Sequence, residues 1–183
     1  MTKYSNNGQN TSSVKQWYAI RVTYNREMKV KQELDSLKIS NFLPMKYSIV
    51  TRGERRIKVL TPAIHNLIFV NLSYEEMKEY RDKTMMPIRY IMDRETHRPI
   101  IIPKKQMDNF IAVAGTFDEQ VIYLDMELTQ MKKGEKVRIT GGIFEGAEGE
   151  FVRVKGDRRV VVTIPGIVAV ATAFIHPSLI EKI

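Results

Sequence analysis

Few residues in this chain are of a type and spacing that could do chemistry, and the densest stretch is Arg138 to Phe151, RITGGIFEGAEGEF. Four of the ten glycines sit there, Gly141, Gly142, Gly146 and Gly149, with Phe144 held among them. A phosphate-binding loop needs G-x-x-x-x-G-K-[ST] between a strand and a helix. Gly141 and Gly146 supply the glycine spacing, but Ala147-Glu148 stand where the lysine and hydroxyl belong. Glu145 and Glu148 would repel phosphate, and strand-like sequence follows where a helix is required. The stretch therefore reads as a turn, since glycine tolerates positive φ. Phe144 then either plugs the end of a small sheet or is presented to a partner. The three histidines, His65, His97 and His176, lack metal-ligand spacing. Asp93 and Glu95, flanked by Arg94 and Arg98, read as a solvated turn. There is no cysteine, which excludes disulfides, thiolate metal sites and cysteine nucleophiles. No nucleophile elbow is present. The expectation is a protein that is not an enzyme, with no cofactor, no metal and no catalytic residue.

The formal net charge is +8. It fits an anionic partner, most commonly nucleic acid, as well as it fits a basic protein without one. The N-terminal MTKYSNNGQNTSSVKQ lacks the apolar core of a signal peptide. The longest uncharged run, VVVTIPGIVAVATAFI (160–175), is shorter than the roughly 20 residues a span needs and carries the turn signal Pro165-Gly166. A soluble, cytoplasmic protein without a membrane partner is expected.

These residues must be positioned by three parts. Residues 1–15 are polar and read as a disordered tail. Residues 16–114 read as mixed α and β. WYAIRVTY (17–24) has Tyr18, Ile20 and Val22 on one strand face. Asn25 can cap a helix in which Val30, Leu34 and Leu37 form one stripe, with Arg26, Lys29, Lys31 and Lys38 off it. NFLPMKYSIV (41–50) is extended, TRGERR (51–56) is a charged hairpin tip and RIKVL (56–60) its second arm. IHNLIFVNL (64–72) is a central strand. Ser73-Tyr74-Glu75-Glu76 fits a capping box, with Met77 and Tyr80 facing inward. IRYIM (88–92) is a further strand, and Pro103 opens a last helix with Met107, Phe110, Ile111 and Ala114 on its apolar face. This order, β-α-β-β-α-β-α, suggests a split βαβ sandwich with the helices on one side of an antiparallel sheet. Residues 115–130 read as a linker with one extended segment, Val121 to Leu124. Residues 131–183 hold strands at 135–140, 150–155, 159–164 and 167–174, joined by short turns, and imply a small β-barrel. Val160, Val161, Val162, Thr163, Ile164, Val168 and Val170 are β-branched, which opposes a helical form of this region.

Lys133 to Ile139, followed by Gly142-Ile143-Phe144-Glu145-Gly146 and Gly149, strongly resembles a KOW motif. Trp17-Tyr18 opening a strand, a basic amphipathic helix, and a late strand ending Leu67-Ile68-Phe69-Val70 resemble a NusG N-terminal (NGN) domain. The pair in this order resembles the NusG family, closest to specialised antitermination paralogues of the UpxY and RfaH type. The resemblance implies an α+β protein: a ferredoxin-like NGN domain joined by a linker to a C-terminal SH3-like KOW β-barrel. It implies a monomeric transcription elongation or antitermination factor that binds the clamp helices of RNA polymerase, controlling capsular or other surface polysaccharide operons. An apolar depression of Ile64, Leu67, Phe69, Met107 and Phe110 would take the clamp helices, although all five also suit a core. Ile64-His65-Asn66-Leu67 departs from the aromatic-Pro-Gly-aromatic stretch of general members. Arg26 and Lys29 would lie against non-template DNA, or simply be solvated; Arg52, Arg55, Arg56 and Lys58 form a second basic hairpin, with a solvated surface as its alternative too. Phe144 would contact a protein partner such as ribosomal protein S10. The rival reading is an RNA-binding KOW module of ribosomal kind.

Overall fold

The computed structural model describes residues 14–124 and 134–183. Nearly all of the expected tail, the last six residues of the expected linker and the first three of the expected barrel, Lys133 among them, lie outside these residues. The first half runs β1 (Gln16–Val22), α1 (Glu27–Ser36), β2 (Ser40–Phe42), β3 (Met45–Arg52), β4 (Arg55–Pro62), β5 (Leu67–Leu72), α2 (Tyr74–Lys83), β6 (Ile88–Tyr90), β7 (Ile101–Ile102) and α3 (Lys104–Ala114). The second half is β8 (Ile122–Leu124), β9 (Glu135–Ile139), β10 (Glu148–Val154), β11 (Asp157–Ile164), β12 (Val168–Ala171) and β13 (Ile180–Lys182), with a 3-10 turn over Pro177–Leu179.

The first sheet has the order β2-β5-β1-β6, and β7 also pairs with β1. All its pairings are antiparallel. Its central strands bury both faces, as the uninterrupted apolar run Leu67-Ile68-Phe69-Val70 requires. Tyr18, Ile20, Val22, Ile68, Val70 and Leu72 point one way, onto Val30 and Leu34 of α1 and Met77 and Tyr80 of α2. Trp17, Ala19, Leu67 and Phe69 point the other way, onto Met107, Phe110 and Val113 of α3. The expectation of helices on one side is thus corrected: α3 covers the opposite face. The reason lies in β1, where Trp17 and Ala19 alternate with the apolar set and also need cover.

Local chemistry sets the ends of these elements. The capping box forms, with Ser73 Oγ accepting from the Glu76 N–H at 3.2 Å and Glu76 Oε2 accepting from the Ser73 N–H at 2.7 Å. The Ser73 amide, with Lys15 beside it, holds the Glu76 carboxyl below its ordinary range. At α1 the cap residue is Arg26, without a side-chain cap bond, and not Asn25. Tyr24 and Asn25 both take positive φ, 63 and 50°, so the chain is still turning there. Leu37 lies beyond the last helical residue and is 55% exposed, leaving the helix stripe to Val30 and Leu34. Glu27 is buried at 2% exposure, and its Oε1 accepts from the Asn66 N–H at 2.6 Å. Asn66 has φ 62 just before β5, so this bond ties the start of α1 to a left-handed turn.

The run expected at 41–50 is broken at Leu43-Pro44. Residues before it pair with β5, while β3 leaves the sheet and pairs only with β4. The second half forms a six-stranded antiparallel sheet in the order β13-β9-β10-β11-β12-β8. Residues 135–171 are strands and turns without helix, as the β-branched composition requires. The extended segment expected in the linker is present as β8, and it is built into this sheet by pairing with β12. The closing strand β13, which pairs with β9, was not visible in the sequence.

Glu27→Ala removes a charge-assisted acceptor from a structured turn and should lower stability by about 2 kcal/mol in urea unfolding. Glu27→Gln keeps an acceptor oxygen and should cost less.

Candidate functional site

The five residues expected to form an apolar patch are brought together. Leu67 and Phe69 on β5 and Met107 and Phe110 on α3 belong to one core cluster, and half-buried Ile64 packs against it. Phe110 meets Phe69 edge-on at 5.4 Å between centroids and Phe42 at 6.1 Å. Phe69, Met107 and Phe110 are 0% exposed and Leu67 is 5% exposed, so these four are covered in this structure.

The cover comes from the packing of β5 against α3 and of α3 against the C-terminal sheet. Helix α3 rests on β11 and β12, and its cluster continues into Val160, Val162, Ile164, Val168 and Val170 of the C-terminal sheet. Polar contacts run along this seam. Asn109 Oδ1 accepts from the Glu148 N–H at 3.1 Å, and Lys105 Nζ lies 2.6 Å from Glu148 Oε2. Arg138 holds the other Glu148 oxygen at 2.8 Å. Lys105, and then Arg138, push the Glu148 carboxyl below its ordinary range. The Tyr123 hydroxyl stands 3.5 Å from the carbonyls of Met45 and Ala114. Burial raises the Tyr123 phenol to about 12. Arg159, 7% exposed, donates to the Gln120 and Thr172 carbonyls at 2.7 Å each and so ties the start of β8 to the sheet. Sequence reasoning singled out Glu148 only as a group unfit for phosphate. Nothing in its local context marks it as the hub of a contact across the chain.

The glycine stretch is a turn. Gly142 and Gly146 have φ 84 and 83°, and the Gly146 N–H returns to the Ile139 carbonyl at 2.8 Å. A Cβ on Gly149 would stand 2.4 Å from the Val161 carbonyl oxygen, so the β10–β11 pairing itself requires glycine there. Phe144 is 4% exposed and sits in the core cluster, while its neighbour Ile143 is 64% exposed. Arg26 and Lys29 are exposed on α1, one turn apart. The Arg26 guanidinium lies 5.8 Å from the ring centroid of Tyr24, which is 80% exposed. In the sequence Tyr24 shows only as the end of a strand, since an aromatic just past an apolar run looks like more of the same. Asp93 closes a turn by accepting from the Thr96 N–H and hydroxyl. His176 caps the 3-10 turn. Among the described residues no helix is long and apolar enough to cross a membrane.

A family model described as transcription termination factor nusG matches residues 15–111, more than half of the chain. The chain belongs to the NusG family of transcription factors. Members of this family interact with RNA polymerase and act without enzymatic chemistry. Among solved structures, one titled "Domain interaction in Thermotoga maritima NusG" is similar at 18% identity and a TM-score of 0.46, covering 92% of this chain and 97% of that one. Comparison with curated proteins gives no match. In this NusG-family chain the matched segment carries β1 to most of α3, and so contains all five patch residues.

The Lys105–Glu148–Arg138 cluster gives a pH test. A carboxyl held below its ordinary value of 4.5 in the folded state adds stability above that value and loses it as pH falls through the folded pKa. The difference in melting temperature between wild type and Glu148→Gln should therefore be largest near neutral pH and shrink below about pH 4.5. A difference independent of pH would remove the charge from this account.

Proposed function

We propose that the chain is an antitermination factor that binds the clamp helices of RNA polymerase and holds the enzyme in a processive state. The target is an individual operon, of the capsular or surface polysaccharide kind that the resemblance to specialised paralogues suggests. The observation that carries this reading is the convergence of Ile64, Leu67, Phe69, Met107 and Phe110 on one apolar cluster between β5 and α3. An apolar surface of this kind, once uncovered, suits an incoming helical pair. The factor works by preferring one polymerase conformation, and this requires no bond making.

Burial of the patch sets the order of events. Clamp helices can reach Leu67 and Phe110 only after the C-terminal sheet has left α3. Apparent affinity is then reduced by the fraction of molecules in which the seam is open. Arg26 and Lys29, with Tyr24 beside them, would meet the non-template strand through phosphate contacts and stacking. The released KOW-like sheet would offer its loop to a second protein such as ribosomal protein S10. With Phe144 buried, exposed Ile143 is the side chain of that loop best placed for first contact.

The test is binding of the full-length chain to RNA polymerase. Lys105 is largely exposed, so Lys105→Glu should leave the fold intact, break the Glu148 pair and tighten binding several-fold. Ile64→Asp, at the half-buried rim of the patch, should weaken it at least tenfold. Binding to structured RNA alone, with polymerase ignored, would transfer the chain to the RNA-binding reading.

A further inference from the structure

The β3–β4 hairpin belongs to neither of the two larger sheets. It forms a two-stranded sheet of its own, paired in register from Met45↔Pro62 to Arg52↔Arg55. Gly53, at φ 61, makes the two-residue turn with Glu54. Each arm has eight residues, about 26 Å at the usual rise of a strand. The ribbon carries Lys46, Arg52, Arg55, Arg56 and Lys58 against the single carboxylate Glu54, which amounts to half of the chain's net +8. Lys58 is tied to Glu119 and lies 4.6 Å from the Tyr47 ring centroid. Arg52, Arg55 and Arg56 are exposed and have no ion-pair partner among the described residues.

The register places these charges. Cross-strand partners share a face, so Arg52 and Arg55 project from one side of the ribbon and Arg56 and Lys58 from the other. Tyr47, Ile49 and Leu60 lie on the Arg56 side and are 46%, 67% and 40% exposed. A ribbon that is cationic on both faces, with apolar side chains left in water, is poorly explained as a solvated edge.

We propose that this hairpin is a docking arm for duplex DNA, laid along the major groove with its tip arginines on the phosphates of both walls. The B-form major groove, about 12 Å wide, admits a two-stranded ribbon. The narrow major groove of A-form RNA does not. Phosphate pairing on opposite faces accounts for the split arrangement of the arginines, and groove edges offer apolar contacts to Ile49 and Leu60. Such binding is insensitive to sequence and steep in salt. The inference stands apart from the polymerase reading, because its main test contains no polymerase.

The experiment is fluorescence anisotropy of the full-length protein with a labelled 20-bp DNA duplex, an RNA duplex of the same length and sequence, and a single strand, between 50 and 200 mM salt, conditions chosen for the roughly −0.9 per phosphate slope expected. Wild type should bind the DNA duplex at least fivefold more tightly than the RNA duplex. The R52Q/R55Q/R56Q variant, with an unchanged circular dichroism melt, should lose at least tenfold at the low-salt end. Its log–log salt slope should fall by about 2.7, three phosphates at about 0.9 each. The single change R56Q should lower that slope by about 0.9. Absence of duplex binding by wild type overturns the proposal. So does equal binding of the RNA duplex, or a triple variant that binds like wild type while R26Q/K29Q takes the loss. A triple variant that keeps its DNA affinity but loses RNA polymerase would assign the arm to a protein and equally overturn it.

Discussion

Phe110 is wholly enclosed on α3, edge-on to Phe69 and Phe42 on one side, while the same helix lies against β11 and β12 on the other. An 11-residue helix is marginal in water by itself. Its persistence rests on burying Met107, Phe110 and Val113, each contributing on the order of 1.5–3 kcal/mol. The two sheets are therefore linked through one helix and not through the chain connection alone. The side chains that hold the first sheet to α3 are also those proposed to meet the polymerase, so the proposed binding surface and the interior draw on the same residues. This identity limits how the protein can act. On the proposed reading, contact with an external helix pair would have to replace cover that the chain supplies for itself, at a rate of success set by the population of an open form.

Polar groups decide where that seam is specific. Hydrophobic contact between α3 and β11 is non-directional and would tolerate sliding. The Glu148 amide on Asn109 and the Glu148 carboxylate between Lys105 and Arg138 fix one alignment. Lys105 is 73% exposed, so its pair adds little strength. Its value lies in registry. Other ion pairs, such as Lys83 with Glu79 and Lys104 with Asp108, are exposed i,i+4 contacts on single helices and carry no tertiary information.

The cations are likewise distributed by structure and not by count. Those on α1 sit beside an exposed tyrosine, and those on the β3–β4 ribbon stand out from the body with both faces charged. Charges held on an exposed element act at a distance of one Debye length, about 8 Å in physiological salt; on the ribbon Lys58 is paired with Glu119, while Arg52, Arg55 and Arg56 meet no carboxylate partner among the described residues. Net charge in the sequence could propose an anionic partner. It could not separate a solvated helix face from a projecting arm.

Short-range signals in the sequence determined the local elements. Ser73 and Glu76 specify a capping box because both reach backbone amides within one turn. Gly142 and Gly146 specify a reversal because positive φ is costly for other residues. Valine runs with Pro165-Gly166 between them specify strands. The family-level fold was legible for the same reason, since the order of elements follows from such signals. Tertiary structure alone decided what lies against what. Leu37 had the right spacing for the helix stripe but falls past the point where the helix ends. Helix α3 has an apolar face that would suit either side of a sheet, and only the second demand of β1, made by Trp17 and Ala19, sends it to the far face. Phe144 could plug or protrude, and the curl of its loop back to Ile139 encloses it. The packing of helix α3, with Met107 and Phe110, against a sheet some fifty residues further along the chain has no signature in any window of sequence. Hydrophobic burial rewards area removed from water and is indifferent to which apolar surface removes it.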